Sequence, residues 1–169
     1  VDYLEAASKL KYDLSRDDVR LPAELMDRHD KAAAAIGIIE DEKKVKRYLA
    51  RRVKLEKQFA FSADGLSILV PGGVQDIVRE GRILKHCVGG YADRHVDGKT
   101  TILFLRKDSA PSVPYVTIEI NAENNCKNLR IVQIHGYRND RDGRVSPEKK
   151  HAAFLDKWMA WVHAGSPRD

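Results

Sequence analysis

Apolar residues recur at spacings of three and four over the first third of the chain, which is typical of helices with one buried face. A short helical segment at 2–10 precedes a polar turn, and the same period then runs from about residue 22 to residue 58. Pro22 suits the first turn of this long segment. Gly37 and the acidic patch at 40–42 leave open a division into two helices.

Shorter elements follow. Two apolar runs flank Asp64-Gly65, which predicts a small hairpin over 59–70. Residues 74–80 predict a short helix that ends at Gly81, and a second helix is expected from about 86 to 96, where Gly98 stops it. In the first of these helices, three side chains are expected to point into the core: Val74, Ile77 and Val78.

Three strands are predicted next, at 100–106, 115–121 and 128–135, joined by loops rich in Pro, Ser and Asn. An antiparallel meander is the economical topology. Period two places Val116, Ile118 and Ile120 on one face, and it groups Gln133 and His135 with Leu129 and Ile131. Ser146-Pro147 begins a last helix, whose buried stripe is Phe154, Trp158, Trp161 and Val162.

These elements predict an α+β fold, with a three-stranded antiparallel meander plus a small hairpin, covered by helices, behind a helical N-terminal region. We place the domain boundary after residue 58: residues 1–58 form the helical region and 59–169 form the α+β core domain. The 169 residues are 43% hydrophobic, which suffices for a core.

The net charge of +5 is unevenly distributed. Residues 43–57 contain eight cationic side chains and a single acidic one, Glu56. Such a strip attracts phosphate through counterion release, although a solvated helix face explains it equally. The residues expected to bind DNA or RNA are Lys43, Lys44, Arg47, Arg51, Arg52 and Lys54.

Two cysteines, Cys87 and Cys126, do not suggest a disulfide framework, and no apolar run approaches 18 residues. We therefore expect a reducing, cytoplasmic setting and no membrane contact. The paired spacings of zinc ligands and the glycine-lysine pattern of a phosphate loop are absent from the sequence, so it predicts no metal site and no cofactor.

Cys87 is expected in the first turn of a helix, where the positive end of the helix dipole favours thiolate. Three interpretations stay open: a buried core thiol, which we favour, a functional thiol, and a metal ligand. His86 lies about 100° away around such a helix and is expected to be a cap or a surface group.

A second cluster of polar side chains is expected on one face of the sheet. If the strand registers agree, this face carries Arg106, Thr117, Glu119, Gln133 and His135. His135 would then be a base for Cys87, with Gln133, Asn139 or Glu119 orienting it or stabilising an oxyanion. The five groups, with Thr117 and His135 as binding residues, could instead bind phosphate or a sugar, or act in acid-base chemistry. An exposed sheet face with an ordinary Arg106–Glu119 pair is the remaining alternative.

Four segments in this order resemble the PcfJ-like proteins of conjugative plasmids, phages and related mobile elements. They are residues 84–91 (LKHCVGGY), 102–106 (ILFLR), 114–119 (PYVTIE) and 133–139 (QIHGYRN). Residues 2–4, 12–14, 21–25 and 29–30 fit the family's approach segment as well, so the resemblance covers nearly the whole chain.

The resemblance implies a recurring set of residues, which corresponds here to Cys87-Val88-Gly89, Arg106, Thr117 with Glu119, and Gln133, Gly136 and Asn139. The family commonly has another residue at His135, which shifts attention to Arg106, Glu119, Gln133 and Asn139. It also implies a mobile-element setting, and that this chain is the C-terminal part of a longer protein.

Three functions follow as hypotheses. The first is a nucleic-acid-associated accessory domain of a mobile element that contacts phosphate through the basic helix. The second is an enzyme, either a thiol hydrolase or a nucleotide or nucleic-acid hydrolase or transferase, whose catalytic candidates are Cys87, Arg106, Glu119, Gln133 and Asn139. The third is a non-catalytic module that binds proteins of the same mobile element.

Overall fold

The computed structural model describes residues 3–22, 24–121, 128–140 and 145–165, without the side chains of 26, 33, 34 and 36–40. The chain divides into two compact units, Val1–Arg47 and Tyr48–Asp169. Cys126 and the predicted loop at 122–127 lie outside the described residues.

The first unit is helical, as the three- and four-residue spacing predicts. Helix α1 spans Tyr3–Lys9, α2 spans Asp17–Arg20, and α3 begins at Leu25. Among the side chains described in this unit, those that are buried are small except for one tyrosine: Tyr3, Ala6, Ala7 and Ala32.

Helix α3, Leu25–Phe59, runs without interruption through Gly37 and the acidic patch, so the chain is not divided there. One glycine costs a helix about 1 kcal/mol, which the many good helix formers of α3 offset.

The second unit is built on one antiparallel sheet of five strands. The strands are β1 Phe61–Ala63, β2 Leu66–Leu69, β3 Thr101–Lys107, β4 Val116–Ile120 and β5 Ile131–His135. The strands are arranged in sequence order, so each strand pairs with the strands that precede and follow it along the chain. The predicted α+β fold is confirmed, and the hairpin joins the meander because Ser67 pairs with Arg106 and Leu69 with Phe104.

One face of the sheet packs on the last helix and on the end of α3. After α6, Pro147–Lys150, helix α7 spans Ala152–His163. Of its predicted stripe, Phe154, Trp158 and Val162 are buried and Trp161 is partly buried. Trp158 Nε1 donates to the carbonyl of Phe59 at 3.0 Å, which satisfies the indole in the core.

The opposite face is covered by α4, Val74–Leu84, a 3₁₀ segment, Cys87–Tyr91, and α5, Ala92–Val96. The apolar contacts here join Ile77 of α4 to Ile102 and Phe104 of β3. The prediction that Val78 points inward is wrong, since its side chain is 41% exposed. The buried face of α4 consists instead of Ile77, Glu80, Gly81 and Leu84.

Helix α4 does not end at Gly81, which corrects the predicted helix end. A Cβ at Gly81 would lie 2.9 Å from both Gly89 N and the His86 carbonyl oxygen. Gly81 therefore lets the 3₁₀ segment approach the backbone of α4 more closely than any side chain allows.

A register shift changes which residues of β5 share a face. Glu119 pairs with Gln133, but Ile120 pairs with Ile131, so Val132 is an extra residue on β5. Ile131 consequently packs against the α7 side, while Gln133 is turned to the other side. The prediction that Gln133 and His135 share a face with Leu129 and Ile131 is wrong because strict alternation fails at this bulge.

Among the described residues, no helix combines the length and the apolar character needed to cross a lipid bilayer.

Candidate functional site

A cavity of about 50 Å³ lies where the 3₁₀ segment meets the polar face of the sheet. It brings together Cys87, Glu119, Gln133 and Asn139, four of the five predicted catalytic candidates, with Thr117 and His135. Arg106 does not line it. The remaining lining residues are His86, Val88, Tyr91 and Ile102.

Cys87 is exposed, so the favoured interpretation as a buried core thiol is wrong. Val88 is the buried member of this segment. The segment has five residues and 3₁₀ geometry, which is too short for the dipole of a long helix to act on the sulfur. The surroundings of Cys87 in the cavity, rather than a helix dipole, therefore define its chemistry.

His86 lines the same cavity, and the prediction that it turns away is wrong. Its backbone is extended, with φ −138° and ψ 170°, and it precedes the 3₁₀ segment, so the 100° offset between helical neighbours does not apply. Its Nε2 lies 3.2 Å from Thr117 Oγ1. Burial lowers the pKa of His86 below its ordinary value, and nearby His135 lowers it further.

Arg106 does not reach the cavity and binds Glu80 of α4. Arg106 Nη1 is 3.0 Å from Glu80 Oε1, and Nη2 is 2.5 Å from Oε2. Thr117 Oγ1 donates to Glu80 Oε1 at 3.3 Å. Burial raises the pKa of Glu80 above its ordinary value, while the Arg106 guanidinium opposes that shift.

The partner of Arg106 was not predicted, and the proposed Arg106–Glu119 pair is wrong. Glu80 occupies the buried face of α4, three residues after Ile77 and four before Leu84. An acidic residue spaced with the apolar residues of a helix was the signal in the sequence that could have revealed this pair. A carboxylate on the buried face requires a cationic or hydrogen-bonding partner.

Glu119 is held by neutral donors instead. Thr100 Oγ1 donates to Glu119 Oε1 at 2.6 Å, and Gln133 Nε2 donates to Oε2. The register of β4 with β5 places Gln133 directly opposite Glu119. The predicted shared face of Arg106, Thr117, Glu119, Gln133 and His135 is therefore present.

A left-handed turn at residues 138–140 places Asn139 in the cavity. Arg138, Asn139 and Asp140 have φ of 55°, 53° and 58°. This region costs Arg138 roughly 1–2 kcal/mol, whereas Asn and Asp adopt it more readily than other non-glycine residues. The Gly136 amide donates to Asp140 Oδ2 at 3.1 Å, and a Cβ at Gly136 would lie 2.9 Å from Asp140 Oδ1.

His95 is a fully buried histidine that the sequence did not indicate as structural. The amide of Ile102 donates to its Nδ1 at 3.0 Å, so Nε2 carries the proton and lies 2.8 Å from Tyr48 Oη. Tyr48 in turn donates to the Pro71 carbonyl. Burial lowers the pKa of His95 to about 3, and burial raises that of Tyr48 to about 12.

The cations predicted to bind nucleic acid differ in their surroundings. In the first unit Lys43 and Arg47 are exposed, and Lys44 is half-buried. In the second unit Lys54 is exposed, and Arg52 Nη2 is 2.8 Å from Glu56 Oε1. Arg51 donates to the carbonyls of His95 and Thr100 and, at 2.9 Å, to Thr101 Oγ1, so its guanidinium is used inside the fold.

In the described ranges, no three His, Cys, Asp or Glu side chains are grouped so that they could hold a metal ion.

Comparison with known proteins identifies similarity over most of the chain. The model of the PcfJ-like protein family matches residues 1–153. An uncharacterised protein of Listeria innocua is 30% identical over 141 residues, which is 82% of this chain and 30% of the relative. The chain thus spans about a third of the length of that relative. No solved structure matches.

Proposed function

The chain belongs to the PcfJ-like protein family, and we propose that its second unit is an enzyme that transfers or hydrolyses acyl groups through the thiol of Cys87. The observation that supports this most is the convergence of Cys87, Glu119, Gln133 and Asn139 on one cavity. These residues come from four separate segments of the chain.

The reaction needs a thiol, a base and donors for the developing oxyanion. The Cys87 proton passes to an imidazole, and the sulfur adds to the carbonyl carbon of the substrate. The leaving group departs with that proton and leaves a thioester on Cys87. Water or another acceptor then gives its proton to the imidazole, and its nucleophilic atom takes the acyl group as the bond to Cys87 Sγ breaks. The imidazolium returns the proton to the released thiolate, which restores the thiol.

Two side-chain amides supply the donors. Gln133 has two N–H groups on Nε2 and uses one of them on Glu119 Oε2, which leaves the second for a ligand. Asn139 lines the same cavity. One such donor is worth about 100-fold or more in rate where its geometry is correct.

The size of the cavity limits the part of a substrate that fits. The cavity of about 50 Å³ is small, so we expect it to hold a small acyl group and to leave the remainder of the substrate outside. Val88 and Ile102 supply apolar lining for that group.

The test uses p-nitrophenyl acetate as the acyl donor, with nitrophenolate release followed by absorbance and the protein by intact mass. The expected result is a release of nitrophenolate together with one acetyl group on Cys87, located by peptide mapping. Cys87→Ala should abolish both. Cys126→Ser is the matched control, because it removes the other cysteine, and it should retain both.

Acetylation at lysines with no dependence on Cys87 would contradict the proposal. So would a reaction of Cys87 with a thiol probe only at the rate of global unfolding. Loss of stability in Glu119→Gln, in a protein whose Cys87 is not acetylated, would favour the protein-binding module instead.

We propose nucleic-acid contact by α3 as a second function, in a mobile genetic element and in the cytoplasm. Its support is the set of exposed cations in the first unit, Lys43, Lys46 and Arg47. The resemblance to proteins of plasmids and phages points to the same setting. Exposed guanidinium and ammonium groups bind phosphate through counterion release.

The measurement is binding of a fluorescent single-stranded and a double-stranded oligonucleotide between 50 and 200 mM salt, a range over which phosphate contacts lose affinity steeply. Reversal of Lys43, Lys46 and Arg47 to Glu should weaken binding strongly and reduce its dependence on salt. The control reverses Lys9 and Lys11, which are also exposed. No binding at the lowest salt, or equal losses in the two variants, would contradict this function.

A further inference from the structure

We propose that His86, and not His135, accepts the proton of Cys87, and that Thr117, Glu80 and Arg106 determine which nitrogen of His86 does so. This inference rests on the proposed thiol chemistry. It also assigns a role to Arg106, although Arg106 does not line the cavity. Thr117 and Glu80 are positioning residues, since neither needs to touch a substrate.

The hydrogen bonds define the tautomer of His86. The bidentate pair with Arg106 holds Glu80 as a carboxylate, which has acceptors only. Thr117 has one hydroxyl proton, and at 3.3 Å from Glu80 Oε1 it gives that proton to Glu80. The lone pairs of Thr117 Oγ1 then face His86 Nε2 at 3.2 Å, so Nε2 must carry a proton.

A neutral imidazole with its proton on Nε2 has a free lone pair on Nδ1. That nitrogen is the base. His86 is the residue before Cys87 and lines the same cavity, so the base and the thiol belong to one short segment. Thr117 also prevents ring rotation that would exchange the two nitrogens.

His135 lacks an equivalent arrangement. Its Nδ1 is 3.7 Å from Asp140 Oδ2, which is beyond hydrogen-bond distance, and its side chain is 40% exposed. Asp140 already accepts the Gly136 amide. His135 is therefore neither oriented nor desolvated to the degree of His86.

The charge state of His86 suits a base. Burial lowers its pKa, His135 adds repulsion, and Asp140 acts in the opposite direction. Glu80 reaches the ring through Thr117, and Arg106 lies behind Glu80 as its counter-ion. With these groups around it, His86 is neutral at pH 7 and can take up a proton.

Nitrogen-15 NMR of the full chain tests the tautomer without any substrate. At pH 7.5 the long-range couplings of His86 should show the proton on Nε2. Thr117→Val removes the acceptor and should give a mixture of tautomers, whereas Thr117→Ser keeps the hydroxyl and should preserve the wild-type pattern. A proton on Nδ1 in the wild type, or an unchanged pattern in Thr117→Val, would overturn the inference.

Acetylation by p-nitrophenyl acetate tests the role in the reaction. His86→Gln can still donate to Thr117 but cannot act as the base, and it should slow Cys87 acetylation about 100-fold, a usual contribution of a general base. His135→Gln should slow it less than about threefold. The reverse order of these effects would overturn the assignment. Absence of acetylation in the wild type would refute the thiol chemistry and the role of His86 as its base. The tautomer of His86, which the NMR measurement reads separately, would stand.

Discussion

Arg106 and Glu80 form a bidentate ion pair in which the side chains are only 6% and 1% exposed. The pair joins β3 to α4, and Thr117, which lines the cavity, connects it to His86. Two charges removed from water carry a large desolvation cost, so each depends on the other. Arg106 thus supports the site through Glu80 and Thr117 without lining the cavity.

Breaking this pair should be costly to stability. Glu80→Gln leaves the Arg106 guanidinium buried and unpaired, and we expect a loss of roughly 3–5 kcal/mol in the free energy of unfolding. The measurement is denaturation in urea at pH 7. The control is the exposed pair of Lys157 and Asp64, at 2.6 Å, where Asp64→Asn should cost no more than about 1 kcal/mol. Equal losses would contradict a special role for burial.

Gly81→Ala should separate the 3₁₀ segment from α4. The new Cβ would lie 2.9 Å from two backbone atoms, Gly89 N and the His86 carbonyl oxygen, and backbone cannot move aside as a flexible side chain can. We expect a loss of about 1–3 kcal/mol, as for overpacked cores, and faster alkylation of Cys87 by a bulky maleimide.

Gly90→Ala is the matched control for this change. Gly90 lies in the same 3₁₀ segment, and a Cβ there meets nothing within 4 Å. Its stability should stay within about 0.5 kcal/mol of the wild type, the usual range for surface substitutions. If the two alanine variants behave alike, the close approach at Gly81 does not limit the packing of this segment.

Local patterns predicted most of the fold. The three- and four-residue spacing predicted α3 and α7, and alternation predicted the strands and the shared polar face of Arg106, Thr117 and Glu119. These features depend on short-range periodicity, which a single sequence contains. The prediction that the site residues lie close together also required that consecutive strands pair with each other. The structure has this strand order.

Long-range partners and local departures from regular geometry were beyond those patterns. The partner of Arg106 comes from α4, 26 residues earlier, and no periodicity links the two positions. The side chain of His86 turns into the cavity because His86 itself has an extended backbone and follows Lys85, whose backbone is left-handed. The face of Ile131 depends on the bulge at Val132, since one extra residue reverses every side chain before it.

Arg51 should behave as a structural residue even though it belongs to the basic strip. Its guanidinium holds the His95 carbonyl and Thr101 Oγ1, and hydrogen bonds to charged groups contribute about 1.5–3 kcal/mol. Arg51→Gln should therefore lower the thermal midpoint by several degrees.

Lys54→Gln is the control for Arg51→Gln, because Lys54 is exposed on the same helix. Its thermal midpoint should match that of the wild type. A charge-reversal experiment on nucleic-acid binding must consequently leave Arg51 in place, since loss of folding would imitate loss of binding. Equal midpoints for the two variants would show that the Arg51 contacts contribute little.

Acid should destabilise the second unit through His95. Burial and the Arg51 charge depress the pKa of this histidine to about 3 in the folded chain, against 6.5 in the unfolded chain. Between these values the unfolded state binds the extra proton, so the stability present above pH 6.5 is lost as the pH falls. At pH 4 the loss from His95 alone should be roughly 3 kcal/mol.

Urea denaturation from pH 7.5 to pH 4 measures this dependence. His95→Gln cannot titrate, so its stability should be lower at pH 7.5 but should fall much less towards pH 4. A smaller slope remains, because burial also lowers the pKa of His86 and of His151. His163→Gln, at an exposed position, is the control and should follow the wild-type profile. If His95→Gln retains the full wild-type slope, the acid sensitivity arises from groups other than the buried imidazole and its bonds to Ile102 and Tyr48.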